Sequence, residues 1–288
     1  MTVDVAVNYY GKPQQTALTL ASLLRHSGRH LGRIYVTKEA RQPRPDEPLE
    51  PVLAAFPDVF VVFEPAVYLG WRTSGVRGLR RDAARRLGAR YQYALETTTA
   101  PFVFVTHNDV VYRADLVGEL LAAIADGHHA GAGLVGQCWN CPACSAGLCG
   151  HGRQSELRLS YPQALRLTLT TPSPRTRPRL IDPLHPLPLP ECRLNEFACL
   201  LDTAAYRDET LPTGSAPPFG LYSGGVKELG CAWFRAMTLR GRTFANVDIF
   251  AFCDHDAGHP DLFDPGAYER KEAAARERLR LEYGISIG

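Results

Sequence analysis

The chain has 288 residues, of which 45% are hydrophobic, and its formal net charge is +2. A chain of this length can bury a full core, and so small a charge argues against nucleic acid or an anionic membrane as the main partner. It contains no apolar run of about 18 residues and no charged segment followed by an apolar one at its start. We therefore expect neither a spanning helix nor a signal peptide, and a cytoplasmic location.

The first forty residues have the pattern of a β-α-β unit. Residues 3–10 alternate as a strand does, Pro13 opens a helical pattern that runs through Leu24, and residues 34–36 form a second strand. Such an opening favours a parallel sheet joined by a right-handed crossover. The sequence predicts a single α/β domain with a mostly parallel central sheet flanked by helices.

The next strong signal is an apolar, β-branched run at residues 102–106, which stops at His107, Asn108 and Asp109. A short run of this kind is typical of a buried central strand. We predict a helix over residues 77–99 before it and another helix from Asp115 after it. Polar side chains at the carboxyl end of such a strand lie where α/β proteins bind ligands. His107 and Asp109 are candidates to hold a divalent cation, although an Asn-Asp turn is the simpler alternative.

Four of the eight cysteines lie between positions 138 and 149. Closely spaced cysteines in a reducing compartment bind metal more often than they form disulfides. We predict a structural zinc site that stabilises an insertion without a hydrophobic core of its own; an iron–sulfur cluster or buried free thiols are the alternatives. The candidate zinc ligands are Cys138, Cys141, Cys144, Cys149, His151 and Cys192.

The remaining segments alternate between loop and core patterns. Residues 160–190 are rich in proline and are predicted to form a loop without regular helix. A helix is predicted after residue 223, a last strand at residues 244–252, and an amphipathic closing helix at residues 265–283. We expect this helix to pack on the sheet; peripheral contact with a membrane is the alternative.

Three segments resemble a known family. Residues 5–10 with residues 20–24 are similar to its first strand and helix, and residues 102–109 to the strand that leads to its DXD motif. Residues 228–241 resemble the segment around its acidic catalytic motif. The family is that of the GT-A-fold (Rossmann-like) glycosyltransferases, in particular the large family 2 type. This chain departs from it at His107, where the family has an aspartate.

The resemblance implies roles for particular residues. A catalytic Mn2+ or Mg2+ would be held by His107 and Asp109 with a histidine after the last strand, His255 or His259. Glu228 is the candidate catalytic base and Glu196 the second candidate, because an inverting transfer needs a carboxylate to deprotonate the attacking hydroxyl. The candidate donor-binding residues are Asn8, Tyr9, Tyr10, Thr37, Arg77, Asn108 and Asp109.

The function that the resemblance implies is transfer of a sugar from a nucleoside diphosphate sugar to a hydroxyl of a glycan or glycolipid, with inversion. Residues 1–130 would form the nucleotide-sugar half, residues 131–191 the Cys/Pro-rich insertion, and residues 192–288 the acceptor half. A catalytically inactive, zinc-stabilised nucleotide-sugar or glycan-binding protein is the alternative. A nucleotidyltransferase is disfavoured, because no Gly-rich phosphate loop with a lysine lies near the start. On this interpretation Asp109→Ala abolishes transfer and leaves the fold intact.

Overall fold

The computed structural model describes residues 2–44, 47–56, 60–69, 78–136, 141–171, 177–223, 228–255 and 264–287. The strands are β1 (Val3–Tyr9), β2 (Leu31–Lys38), β3 (Phe60–Phe63), β4 (Phe102–Thr106), β5 (Val110–Tyr112), β6 (His129–Val135), β7 (Leu194–Asp202), β8 (Thr243–Asn246) and β9 (Cys253–His255). The helices are α1 (Pro13–Ser27), α2 (Glu50–Ala54), α3 (Ala83–Leu87), α4 (Gln92–Thr97), α5 (Leu116–Ala123), α6 (Pro142–Ser145), α7 (Tyr161–Thr170), α8 (Thr203–Glu209), α9 (Cys231–Leu239) and α10 (Pro265–Arg278).

Seven strands form the central sheet in the order β3-β2-β1-β4-β7-β6-β8, and β5 pairs with β9 in a small separate sheet. The pairs β3–β2, β2–β1, β1–β4 and β6–β8 are parallel, whereas β7 is antiparallel to both of its neighbours. Six of the seven strands therefore run in one direction. The predicted α/β fold with a mostly parallel sheet flanked by helices is confirmed.

The sheet separates two hydrophobic cores, because successive side chains of a strand point to opposite faces. Val5 belongs to the same core as Leu20 of α1, whereas its neighbour Ala6 belongs to the core that contains Trp233 of α9. Every residue of β1 is buried. β1 lies inside the sheet between β2 and β4, so residues at its carboxyl end have the ends of two other strands beside them.

The closing helix α10 is tied to the start of α1. The Glu272 carboxylate accepts hydrogen bonds from the backbone N–H groups of Gln14 (2.8 Å) and Gln15 (3.1 Å). These N–H groups have no partner within α1 itself, so a carboxylate from another helix satisfies them and complements the helix dipole. The segment was predicted to pack on the sheet; these contacts instead join it to α1. None of the helices in the described part of the chain is long and apolar enough to cross a membrane.

Several predicted elements were wrong in extent or type. Within residues 77–99 the described part forms two short helices, α3 and α4, instead of one. The segment 160–190, predicted to lack regular helix, contains α7, which begins with a capping box between Ser160 and Gln163. The predicted last strand at 244–252 ends as β8 at Asn246, and the chain reaches β9 only after a single 3-10 turn.

The cysteine-rich segment also differs from its prediction, since it has a small apolar cluster of its own. Cys141, Ala143, Ala164, Ile181 and Leu189 are buried together. The cluster joins α6 and α7 to the chain that precedes β7. Apolar packing therefore contributes to holding this segment, whether or not a metal binds there.

Candidate functional site

The candidate site lies where β4 ends. The chain leaves β4 at Thr106, turns through His107 and Asn108, and enters β5 directly after Asp109. Because β5 pairs with β9 and places Val110 opposite His255, the second histidine comes to the same edge. His107, Asp109 and His255 each offer one ligand atom, and these atoms all lie within 4.8 Å of one another. It is the one such cluster of three or more among the residues that the structure describes.

The two carboxylate oxygens of Asp109 have different surroundings. Oδ2 lies 2.7 Å from Nζ of Lys12, and both side chains are buried. Oδ1 lies 3.3 Å from Nε2 of His255 and 3.9 Å from Nδ1 of His107. Oδ1 is buried without a hydrogen-bond partner. The oxygen that faces the two imidazoles is therefore the one that is left for a further ligand.

Electrostatics keep the site in the protonation state that a metal requires. Burial alone would raise the pKa of Asp109, but the adjacent His255 side chain and the Lys12 ammonium outweigh it and lower that pKa well below its usual range. Burial, assisted by the proximity of His255, lowers the pKa of His107 well below its ordinary value. At neutral pH the site thus presents a carboxylate and, at His107, a neutral imidazole, which are the ligand forms that bind cations.

These residues fit a divalent ion. An unpartnered buried carboxylate oxygen costs free energy that a cation would recover, and two imidazoles beside it supply nitrogen ligands. His107, Asp109 and His255 would hold the ion. The other predicted histidine, His259, lies outside the described residues.

Neighbouring side chains orient both histidines. The Phe197 ring stacks on the His255 ring with 4.2 Å between centroids. The His107 backbone N–H donates to the carbonyl of Phe197 (3.1 Å), and His107 Nε2 lies 3.7 Å from Oε1 of Glu196. At this separation Glu196 faces the imidazole without a hydrogen bond to it, and His107 Nε2 has no hydrogen-bond partner. β7, which carries Phe197, therefore contacts both histidines of the site.

The two candidate bases share one guanidinium. Nη1 of Arg193 lies 2.7 Å from Oε2 of Glu196 and 3.4 Å from Oε2 of Glu228, and it donates to the Leu229 carbonyl at 3.1 Å. Glu228 was predicted at the start of a helix, but α9 begins three residues later at Cys231. The structure brings both carboxylates to the same buried arginine.

The candidate donor residues divide into two groups. Asn8 at the end of β1 lies beside Thr37 of β2 in register, and its Nδ2 donates to Glu39 (2.7 Å), which also accepts from Nε of Arg90 (2.6 Å). A small cavity at this edge is lined by Glu39, Arg90, Gly220 and Tyr222.

The other candidate donor residues do not line this cavity in the described part of the chain. Tyr9 is fully buried and its hydroxyl donates to the Glu47 carbonyl (3.1 Å), so it packs in the core. The Tyr10 ring stacks on Tyr68 at the edge of the sheet. Asn108 donates to the Gly11 carbonyl and to Thr16, which ties the turn after β4 to the start of α1. Arg77 lies outside the described residues.

Sequence analysis missed the charged partners of the site: Lys12, Glu39, Arg90 and Arg193. Lys12, Glu39 and Arg90 pair with residues that are remote in the chain, so no local pattern identifies them. Arg193 pairs with the remote Glu228 and also with Glu196, which lies three positions away. Lys12 had one local signal, because it follows Gly11 and precedes Pro13 at a strand–helix turn. Turns of this kind commonly carry functional side chains in α/β proteins.

The described zinc candidates line one region but do not form a complete site. Cys141, Cys149 and Cys192 line a single small cavity together with Leu157 and Leu189. Burial raises the pKa of the Cys141 thiol to about 11. No three of the described cysteines and His151 bring their ligand atoms within 4.8 Å of one another. Cys138 lies outside the described residues.

Comparison with known proteins gives similarity at the level of solved structures. No protein-family model and no curated sequence matches the chain. It is similar to TarS 1–349 of S. aureus with 15% identity and a TM-score of 0.43, covering 96% of this chain and 65% of that one. The chain thus spans less than two thirds of the TarS structure.

Two further structures are similar over most of this chain. Mouse xyloside xylosyltransferase 1 in its apo form has 14% identity and a TM-score of 0.45, with 91% of this chain and 92% of that chain covered. The mannosyltransferase PcManGT from Pyrobaculum calidifontis, in complex with GDP-Man and Mn2+, has 12% identity and a TM-score of 0.43, with 96% and 74% covered. At these values the similarity carries no information about the substrate of this chain.

Proposed function

We propose that the protein is a metal-dependent glycosyltransferase of GT-A fold, which moves a sugar from a nucleoside diphosphate sugar to a hydroxyl of a glycan or glycolipid with inversion. The observation that carries the proposal is the His107–Asp109–His255 cluster at the carboxyl edge of a mostly parallel sheet. Ligands of open α/β sheets bind at this edge. A divalent ion bound there, Mn2+ or Mg2+, would neutralise charge on the leaving diphosphate.

The nucleoside end of the donor is proposed to bind beside the ends of β1 and β2. Asn8, Thr37 and the Glu39–Arg90 pair place buried polar groups there, and the adjoining cavity is bounded by Tyr222. A few precisely placed polar groups fix the orientation of a ligand and give specificity. The stacked Tyr10 and Tyr68 would flank the same pocket.

Glu228 is proposed as the catalytic base, with Glu196 as the second candidate. Glu196 lies closest to Arg193, at 2.7 Å, so its carboxylate is held in that ion pair. Glu228 lies farther from Arg193, and 13% of its side chain is exposed. A base needs access to the hydroxyl that it deprotonates, which favours Glu228.

The direct test is incubation of the purified chain with a panel of nucleoside diphosphate sugars and a divalent ion. We expect release of nucleoside diphosphate, prevented by EDTA. Glu228→Gln should bind the donor as wild type does and should lower turnover by about a hundredfold or more, because general base catalysis contributes that much. Donor binding that EDTA does not affect, together with no turnover of any donor, would instead indicate an inactive binding protein.

We also propose that the cysteine-rich segment holds a structural zinc ion, with ligands drawn from Cys138, Cys141, Cys144, Cys149, His151 and Cys192. In support, Cys141, Cys149 and Cys192 line one cavity. Thiolates select zinc, and binding would be coupled to the folding of this segment.

Elemental analysis tests the zinc proposal, with about one zinc expected per chain. Cys141→Ser should release the ion and lower the melting temperature. Cys199→Ser is the matched control, because Cys199 is also fully buried but lies in β7 of the central sheet. It should lose some stability and keep its zinc. A wild-type protein purified without zinc would contradict the proposal.

We further propose the division into a nucleotide-sugar half at residues 1–130, the insertion at residues 131–191 and an acceptor half at residues 192–288. The candidate donor contacts at β1 and β2 fall in the first part, and both candidate bases fall in the last. β6 extends to Val135, so the beginning of the proposed insertion is a strand of the central sheet. A cytoplasmic location and peripheral contact with a membrane stay predictions.

A further inference from the structure

Lys12 is held in an unusual backbone conformation beside the metal-binding cluster. Its φ is 60°, in the left-handed region that non-glycine residues rarely adopt, and Gly11 before it has φ 67°. The Lys12 backbone N–H donates to the Tyr268 hydroxyl at 2.7 Å, and its carbonyl accepts from the backbone N–H of Thr16 at 2.8 Å. Backbone strain of this kind persists where the surrounding structure enforces it, and it concentrates at functional sites.

The enforced turn places the Lys12 side chain inside the site. Nζ lies 2.7 Å from Oδ2 of Asp109, and only 6% of the Lys12 side chain is exposed. The ammonium thus pairs with Oδ2, and the other carboxylate oxygen, Oδ1, faces His255 and His107. A metal ion bound by this cluster would be coordinated by only one oxygen of Asp109, Oδ1.

We propose that Lys12 is a positioning residue that confines Asp109 to ligation through Oδ1 and thereby makes the site selective for imidazole-binding transition-metal ions over Mg2+ and Ca2+. The protein donor set is then two imidazole nitrogens and one carboxylate oxygen. Imidazole suits ions such as Fe2+, Co2+ and Zn2+, whereas Mg2+ and Ca2+ take oxygen ligands. Of the two ions named for the proposed function, Mn2+ and Mg2+, the site therefore favours Mn2+.

The positive charge of Lys12 also favours transition-metal ions over Mg2+ and Ca2+. The Lys12 ammonium offsets the Asp109 carboxylate, so the cluster attracts a divalent ion less by net charge than a pair of carboxylates would. Affinity then depends on the nitrogen ligands, which discriminate among metals. This inference rests on the proposed function for the choice of site. Its test measures ion binding, so a chain that shows the selectivity but transfers no sugar would refute the proposed function alone.

The experiment is equilibrium binding of Co2+, Mn2+, Mg2+ and Ca2+ to the full chain after removal of bound metal with a chelator. We expect Co2+ to bind at least about a hundredfold more tightly than Mg2+ or Ca2+, with Mn2+ between them, as the order of affinities for nitrogen-containing sites predicts. Loss of the visible Co2+ absorption in His255→Ala assigns the ion to this cluster and separates it from cysteine ligation. Equal affinity of wild type for Mg2+ and Co2+ would overturn the proposal.

Lys12→Met isolates the contribution of the lysine. This substitution frees Oδ2 of Asp109 and removes one positive charge, so the affinity for Mg2+ and Ca2+ should rise by about tenfold or more. The ratio of the Co2+ affinity to the Mg2+ affinity should therefore fall. Mg2+ should then raise the melting temperature of the variant more than that of wild type. Lys38→Met is the control, because Lys38 pairs with Glu64 on the surface (3.0 Å), away from the cluster. An unchanged Co2+ preference in Lys12→Met would overturn the role of Lys12.

Discussion

Asp109→Asn is expected to abolish metal binding at the His107–Asp109–His255 cluster and to lower sugar transfer by about a thousandfold or more. Asp109 supplies the one charged ligand of the cluster, and its Oδ1 is the oxygen that faces both imidazoles. An active-site metal stabilises developing charge by several kcal/mol, and about 1.4 kcal/mol corresponds to each factor of ten in rate. Metal titration and initial rates measure the two effects.

Removal of the Asp109 carboxylate also lowers the stability of the fold, which the sequence did not reveal. Asp109→Ala was expected to leave the fold intact, but Asp109 pairs with the buried Lys12. Removing one member of a buried ion pair strands the other charge, which typically costs about 3–5 kcal/mol. We therefore expect Asp109→Ala to unfold at a lower temperature. The double variant Asp109→Asn with Lys12→Met should regain much of this stability and still bind no metal.

Asp254→Asn is the matched control for Asp109. Asp254 precedes His255 in β9, but 66% of its side chain is exposed and it pairs with Arg113 at the surface. Neighbouring residues of a strand face opposite sides, so this change should leave metal binding and transfer as in wild type. Full activity of Asp109→Asn would contradict the proposed role of the cluster, and inactivity of Asp254→Asn would show that the assay responds to general damage of β9.

The parts of the site that lie at strand ends could be predicted from the sequence. The run of Phe and Val identifies the strand, and His107, Asn108 and Asp109 mark its polar carboxyl end. Open α/β sheets generally bind ligands at the carboxyl ends of their strands. His255 is different: the family resemblance implied it as a histidine after a strand at residues 244–252, but that strand ends as β8 at Asn246 and His255 lies in β9. Lys12 could not be predicted, because it lies 97 positions from Asp109, and nothing local indicates which carboxylate a lysine will meet.

Errors in the predicted elements have a similar origin. The prolines after position 171 exclude helix where they stand, but they do not exclude it over residues 161–170, where Ser160 and Gln163 form a capping box that starts α7. The short helices α3 and α4 are separated at Gly88 and at Tyr91, which has φ 66°. A positive φ at a tyrosine is imposed by tertiary packing, because intrinsic preference disfavours it. Such tertiary effects are not visible in a single sequence.

Arg193→Met is expected to destabilise the protein by about 3–5 kcal/mol, because Arg193 compensates the buried Glu196 carboxylate and the partly exposed Glu228 carboxylate. Its side chain is 3% exposed and lies 2.7 Å from Glu196 and 3.4 Å from Glu228. For a chain of this size the melting temperature should fall by about 10 °C. Thermal unfolding monitored by circular dichroism measures the change.

Two further variants separate the charge effect from lost packing. Arg193→Met combined with Glu196→Gln removes the nearer stranded carboxylate, so it should be more stable than Arg193→Met alone. Arg153→Met removes an arginine from an exposed pair with Glu156, and we expect no measurable change in melting temperature. A double variant no more stable than Arg193→Met would mean that Arg193 acts through its packing and its hydrogen bond to the Leu229 carbonyl.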